Sequence, residues 1–389
     1  MPGMRWDIHC HVVDNLGDVG VCWRLAADLA ARGEAVRLLI DDASALSVMA
    51  PQGAAGVTVL PWGTEEAGDG DGDGADVVIE AFGCNLPLTA IASMQRRAAG
   101  GSAPVWINLE YLSAEAYVER SHGLPSPQSG GLVKWFFFPG FGDRTGGLLR
   151  ESGLETRHAA FDARAWLAAL GCEPRPGERI VSLFCYANTA LPALLRDLAR
   201  QPTLLLLTPG WARDQVQDLL PEPPKAHLPQ GHLQQGHLQQ GHSRGMRADS
   251  AGLLRLHPLP WLSQTDFDHL LWSCNLNLVR GEDSLVRAIW AGVPFVWQAY
   301  PQHDQAHHAK VEALIERLEL DPSVAALWRA WNGMPTASAG RAWPGLPPLQ
   351  VWSGSAAAAG RTLRQPTDLT SRLRDFVALR RHLAKKASS

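Results

Sequence analysis

Asp14 and Asp18 stand four residues apart in the run Asp14-Asn15-Leu16-Gly17-Asp18-Val19-Gly20. The run follows a strand candidate in which Trp6, Ile8, Cys10 and Val12 alternate with Asp7, His9 and His11. It precedes a helix expected from about Val21. Two carboxylates in a loop above a strand end suit proton handling or the binding of a cation. The plainer reading is that Asp14 caps the turn and Asp18 caps the helix. A dinucleotide-binding loop is excluded, because the Gly-x-Gly-x-x-Gly spacing is absent and Asp18 lies between two glycines where a pyrophosphate would approach.

A second constellation is Arg280-Gly281-Glu282-Asp283-Ser284. Asn275 to Val279 reads as a strand, Gly281 permits a sharp turn, and Asp283 and Ser284 are good N-cap residues for a helix over Leu285 to Ala291. Gly292 and Pro294 end that helix, and Phe295, Val296 and Trp297 read as a buried parallel strand. Strand, tight turn and helix together make an anion site, since free amides at a helix N-terminus face the ligand and the dipole favours negative charge. Arg280 stands at the strand's C-terminal end, where open α/β sheets bind ligands. Glu282 and Asp283 would repel phosphate if turned inward. The amides and Ser284 are therefore assigned to phosphate and Glu282 to a sugar hydroxyl, with an ordinary capped helix as the alternative. Phe184 and Tyr186 fall on one face at the end of the Ile180 to Tyr186 strand and could stack on a nucleobase, although core packing is the commoner fate of such aromatics. Gln264, in the loop before a helix over about 265–273, could read a base edge or simply supply polarity at a helix start.

The elements that must carry these residues alternate along the chain. Ala35 to Ile40, Val57 to Leu60, Asp76 to Ala81 and Val105 to Leu109 are strand candidates, with helices near 44–50 and 86–99, which is the pattern of a doubly wound α/β domain. In the helix after the acidic loop, Val21, Cys22, Leu25 and Leu29 form the apolar stripe and Arg24, Asp28 and Arg32 the expected wet face. Further strands are expected at Ile180 to Tyr186, Leu204 to Thr208 and Leu253 to Leu256.

At 389 residues the chain exceeds what a single hydrophobic core accommodates, so two domains are expected. Residues 1–155 form the first and 156–360 the second, with 361–389 a basic C-terminal helix packing back on the first. Low-complexity insertions fall near 222–250, where His232, His237 and His242 recur every five residues in a Gln/Gly-rich tract, and near 333–360. A period of five aligns on neither a helix nor a strand face, so the histidines are not read as metal ligands. Asp69-Gly-Asp-Gly-Asp-Gly lacks the terminal Glu of a calcium loop.

The net charge of −4, from 35 basic and 39 acidic residues, offers no footprint for nucleic acid. No apolar run approaches the ~20 residues that span a bilayer. The N-terminus leads directly into a strand, and the six scattered cysteines, Cys10, Cys22, Cys84, Cys172, Cys185 and Cys274, suit a reduced cytoplasm.

Two α/β domains, a phosphate-cradling helix and an acidic loop describe a glycosyltransferase of the GT-B type, two Rossmann-like domains facing a cleft. Cys10-His-Val-Val-Asp-Asn-Leu-Gly-Asp-Val-Gly-Val-Cys-Trp-Arg-Leu, Asn108-Leu-Glu-Tyr-Leu-Ser-Ala-Glu, Phe136-Phe-Phe-Pro-Gly-Phe and Arg280-Gly-Glu-Asp-Ser go further. Together they resemble the protein-arginine rhamnosyltransferases that mature bacterial elongation factor P. The resemblance implies an inverting, metal-independent transfer of rhamnose from dTDP-β-L-rhamnose to a loop-tip arginine of elongation factor P. It makes Asp18 the general base and Asp14 its acceptor-orienting neighbour. It matches Phe184 and Tyr186 to donor-site aromatics, Gln264 to a thymine contact, Arg280, Glu282, Asp283 and Ser284 to the diphosphate and sugar end, and Tyr300 to a further donor-site residue. Leu16 departs from the pattern, which has an aromatic there in many relatives. Two alternatives remain: another GT-B nucleotide-sugar enzyme, either a hydroxyl-acceptor transferase or a 2-epimerase, and a non-catalytic adaptor that grips a translation factor.

Overall fold

The structure is a computed structural model and describes residues 3–14, 16–64, 74–220, 246–247, 252–335 and 343–387. The Asp-Gly run at 69–73 and the repeat carrying His232, His237 and His242 lie outside the described residues.

Two sheets carry the chain. The first contains β1 (Arg5–Cys10), β2 (Ala35–Ile40), β3 (Val57–Pro61), β4 (Val77–Ala81), β5 (Val105–Leu109), β6 (Pro125–Pro127) and β7 (Val133–Phe137), in the order β3-β2-β1-β4-β5-β7-β6. All its pairings are parallel except β6 with β7. The second contains β8 (Arg179–Leu183), β9 (Thr203–Leu207), β10 (Met246–Arg247), β11 (Leu254–Pro258), β12 (Leu276–Arg280) and β13 (Phe295–Gln298), in the order β10-β11-β9-β8-β12-β13. Here only the β10–β11 pairing is antiparallel.

Parallel strands covered on both faces need continuous apolar runs. β5 (VWINL) and β9 (TLLLL) are such runs and are buried throughout. The alternation in β1 does not mark a wet face, because β1 is central in its sheet. Its Asp7 is buried against Arg37, with hydrogen bonds of 2.7 and 2.5 Å, and His9 is buried as well.

The strand order reverses between β1 and β4 in the first sheet and between β8 and β12 in the second. Crevices open at the carboxyl ends of strands at such switch points. Asp14 and Asp18 follow β1, Phe184 and Tyr186 follow β8, and Arg280 ends β12. Topology alone therefore brings every one of these residues to a switch point.

In the C-terminal third, residues 349–360 of the expected insertion are helical: Leu349–Arg364 is a helix whose Trp352 and Leu363 join the core of the second sheet. Its Gly360 lies so close to the carbonyl of Ile289 that a Cβ there would sit 2.8 Å from the oxygen. A boundary at 361 therefore cuts a helix. The last helix, Leu369–Ala387, puts Leu369, Leu373 and Val377 into the core of the first sheet. Arg32–Asp368 and Arg374–Glu34 ion pairs, both 2.8 Å, flank that contact.

Candidate active site

The helix after β1 begins at Gly17, four residues before the expected start, so Asp18 lies within its first turn. Leu16 holds the N-cap position and no side chain caps the helix. The Asp18 carboxylate instead turns back on the preceding loop, where its Oδ2 accepts hydrogen bonds from the amides of Val13 and Asp14, each 2.9 Å. Asp18 is 3% exposed. Burial pushes its pKa up and the nearby Asp14 charge adds to that, while the two amides and the Tyr111 hydroxyl pull it back. Asp14 accepts a 2.6 Å hydrogen bond from the hydroxyl of Tyr186, which follows β8 of the other sheet. Neither acid is spent as a helix cap.

Across the cleft, Gly281 opens the Gly281–Ala291 helix with φ +70°, a left-handed conformation that glycine adopts without strain. A Cβ at this position would lie 3.2 Å from both Asp14 Oδ2 and the Tyr186 hydroxyl. Arg280, and neither Asp283 nor Ser284, is the N-cap residue. Because the helix starts earlier than expected, Glu282, Asp283 and Ser284 all lie in its first turn and point in different directions. Ser284 Oγ accepts from the Arg280 amide at 3.1 Å and donates to the Arg280 carbonyl, so its hydroxyl is engaged on the backbone. Glu282 accepts from the Leu112 amide at 2.8 Å. Asp283 pairs with Arg24 Nε at 2.8 Å.

Phe184 and Tyr186 both lie beyond the end of β8 and pack against one cation. The Arg280 guanidinium carbon is 4.6 Å from the Phe184 ring centroid and 4.2 Å from that of Tyr186. Tyr186 also meets Tyr300 edge-on at 5.3 Å. Gln264 is the first residue of its helix, capped by Ser263, and its amide nitrogen donates to the Gly20 carbonyl at 2.9 Å.

Two cavities share this cleft. One, about 80 Å³, is lined by Phe184, Gln264, Arg280, Asp283 and Ser284 together with Trp261. The other, about 180 Å³, is lined by Asp18, Tyr111, Glu282, Tyr300 and Lys310. Asp14 borders both. Of the ten expected site residues, Tyr186 alone lines neither; it is buried between Arg280, Tyr300 and Asp14.

Sequence reasoning missed the charge cluster beneath the first cavity. Arg24 is buried, not on a wet face, and contacts Glu151 (3.0 Å), Asp268 (3.3 Å) and Asp283 (2.8 Å). Arg287 is buried beside it and contacts Asp268 (2.6 Å) and Glu151 (2.5 Å). Asp28 is likewise buried, paired with Arg32 at 2.8 Å. A helix pattern distinguishes apolar from polar positions, but a polar stripe that faces a second domain looks the same as one that faces water.

Arg280 and the N-terminus of the Gly281–Ala291 helix thus stand across a cleft from the Asp14–Asp18 loop. A family model described as elongation factor P (EF-P) rhamnosyltransferase EarP matches residues 6–378. The chain belongs to this family. The protein-arginine rhamnosyltransferase of Pseudomonas aeruginosa is 42% identical over 396 residues, covering 96% of this chain and 98% of the relative. That of Pseudomonas putida is 42% identical over 381 residues, covering 91% and 95%. A solved structure described as the structural basis for EarP-mediated arginine glycosylation of translation elongation factor EF-P superposes with a TM-score of 0.62 at 30% identity, covering 96% of this chain and 98% of the other. The fold is accordingly GT-B, and the EarP family assignment covers both sheets.

Among the described residues, no group of three or more His, Cys, Asp or Glu side chains is placed to hold a metal ion. No helix among them is long and apolar enough to cross a membrane.

Proposed function

We propose that this EarP family member transfers L-rhamnose from dTDP-β-L-rhamnose to a guanidinium nitrogen of a loop-tip arginine of elongation factor P, with inversion and without a metal ion. The observation that carries the reading is the 2.6 Å Tyr186–Asp14 hydrogen bond, which puts the acid pair within reach of the Arg280 end of the cleft. The donor nucleotide occupies the cavity beside Phe184, Gln264 and Arg280, and the acceptor arginine enters the one beside Asp18 and Glu282. Residues 1–155 take the protein acceptor, and the second domain, from 156 through the end of the Leu349–Arg364 helix, takes the donor. The reaction runs in the cytoplasm.

A guanidinium, with a pKa above about 12, is protonated at any working pH, so a carboxylate cannot strip it in the ground state. Asp14 and Asp18 pair with the planar cation and aim one nitrogen at the anomeric carbon. As the C–N bond forms, the anomeric C–O bond breaks and its electron pair leaves with the diphosphate. The attacking nitrogen loses its basicity at the same time and its proton passes to Asp18. Arg280, held between two aromatic rings, and the N-terminus of the Gly281–Ala291 helix offset the charge on the departing diphosphate.

The test of stereochemistry and metal independence is NMR of the glycosylated arginine made in the presence of EDTA. An α-linked rhamnose formed at the rate seen without chelator is expected. A β linkage, or a rate that collapses with EDTA and returns with a divalent cation, contradicts the reading.

A further inference from the structure

The helix that carries Asp18 also reaches the other side of the cleft. Gly20 and Arg24 stand four residues apart and so share a face of the Gly17–Ala31 helix. Gly20 is pressed against the second domain: a Cβ there would lie 3.4 Å from Gln264 Nε2 and 3.5 Å from Asp283 Cβ. Its carbonyl accepts the 2.9 Å hydrogen bond from Gln264 Nε2. Arg24 is buried, and each nitrogen of its guanidinium meets an acceptor. Nε lies 2.8 Å from Asp283 Oδ1, and Nη1 donates to Glu151 at 3.0 Å. Nη2 donates to the backbone carbonyl of Gln264 and to Asp268, both at 3.3 Å. Gln264 is thereby held at two points, by its side chain on Gly20 and by its backbone on Arg24. Gln264 and Asp283 stand in the first turns of two different helices of the second domain, and both line the first cavity, as does Arg24.

We propose that Arg24 is a positioning residue of the donor site, which from the first domain fixes Gln264 and Asp283 so that the cavity admits a nucleoside diphosphate and favours a base with a ring N–H. The inference rests on the reading of the first cavity as the donor nucleotide site.

The Gln264 amide has a fixed sense. Reversing it would set its oxygen against the Gly20 carbonyl oxygen at 2.9 Å, so the nitrogen stays on Gly20 and the oxygen is left as an acceptor. Thymine offers N3–H to such an acceptor, whereas cytosine has a lone pair at N3. Asp283 presents a different problem. It shares the cavity with Arg280 and Ser284, where an unpaired carboxylate would repel a diphosphate. Arg24 holds that carboxylate and offsets its charge. A lysine cannot take over both tasks, because one ammonium does not reproduce a planar fork with acceptors on all three nitrogens.

Arg24→Lys keeps the charge and leaves Arg287 on Asp268 and Glu151, so the fold is retained. Calorimetry of the full chain with dTDP and with dCDP reads affinity and base preference together. The wild type prefers dTDP. In Arg24→Lys the affinity for dTDP falls roughly tenfold or more, the scale of one hydrogen bond from a charged group. Affinity for dCDP falls less, so the preference narrows. Arg287→Lys, which disturbs the bonds to Asp268 and Glu151 in the same cluster, lowers Tm and keeps the wild-type preference.

Wild-type affinity and preference in Arg24→Lys overturn the proposal and leave the donor assignment standing. An equal loss for both nucleotides also overturns it, as does the same narrowing in Arg287→Lys, which would make the effect one of general packing. If the wild type binds neither nucleotide, the donor assignment itself fails and this inference falls with it.

Discussion

The Tyr186 hydroxyl donates a 2.6 Å hydrogen bond to Asp14 Oδ2 although the two residues are 172 positions apart in the chain. Tyr186 also lays its ring against Arg280, so a single side chain touches both the cation expected at the diphosphate and the acid expected at the acceptor. The two sides of the cleft are therefore connected through one phenol.

Tyr186→Phe separates the two roles. The ring remains to pack on Arg280, so affinity for the dTDP-sugar measured by calorimetry is expected to stay close to wild type. Asp14 loses its partner, and kcat/KM for the protein acceptor falls roughly tenfold or more, the value of one hydrogen bond to a charged group. A large loss of donor affinity with unchanged kcat would assign the hydroxyl to the donor instead.

Asp18→Asn leaves a side chain of the same shape that cannot take a proton. Transfer is expected to drop at least about a hundredfold, within the range that a general base supplies. Donor binding is retained, because Asp18 lines only the cavity away from Phe184 and Gln264. Turnover at the wild-type rate would remove Asp18 from the mechanism.

Arg287 sits 2% exposed between Asp268 and Glu151, next to Arg24. Truncation to Ala leaves two buried carboxylates short of a partner, for which a cost of about 3–5 kcal/mol is typical. Chemical denaturation should show that loss. Arg287→Met, which fills the volume without the charge, should lose nearly as much, since Arg24 alone then faces Glu151, Asp268 and Asp283. Equal stability of wild type and both variants would mean that the cluster is solvated.

How much of this was legible in the chain depends on how far apart the partners lie. β5 and β9 declare themselves as short apolar runs, and the loop after β1 and the turn after β12 are visible as glycines beside charges. Asp14 and Asp18 could be picked out because both lie in one loop. Arg24 could not, since its three acidic partners come from elsewhere in the chain and its helical position looks wet. The Leu349–Arg364 helix was obscured by its Ala, Gly and Ser content, although Trp352 and Leu363 are enough to bury it. Tyr300 carries no local signal; the family resemblance singled it out, and in the fold it meets Tyr186 edge-on and lines the second cavity.

Glu282 provides a pH signature. Burial, followed by the charges of Asp18 and Asp14, raises its pKa from 4.5 to about 7, against the pull of Lys310 and the Leu112 amide. A raised carboxyl pKa means that the folded state holds this proton more tightly than the unfolded chain does. Its contribution to stability is therefore complete below the ordinary value and is lost as pH rises through about 7. Thermal unfolding of wild type should show this decline in Tm, and Glu282→Gln, which never ionises, should show a flatter profile. Parallel profiles in the two proteins would place the titration elsewhere.

The most direct measurement is the intact mass of purified elongation factor P after incubation with this protein and dTDP-β-L-rhamnose. The account predicts a gain of one deoxyhexose, abolished when the acceptor arginine is replaced by lysine. An unchanged mass while dTDP-rhamnose still binds would contradict the assignment of the acceptor, and failure to bind the donor would contradict the assignment of the cleft.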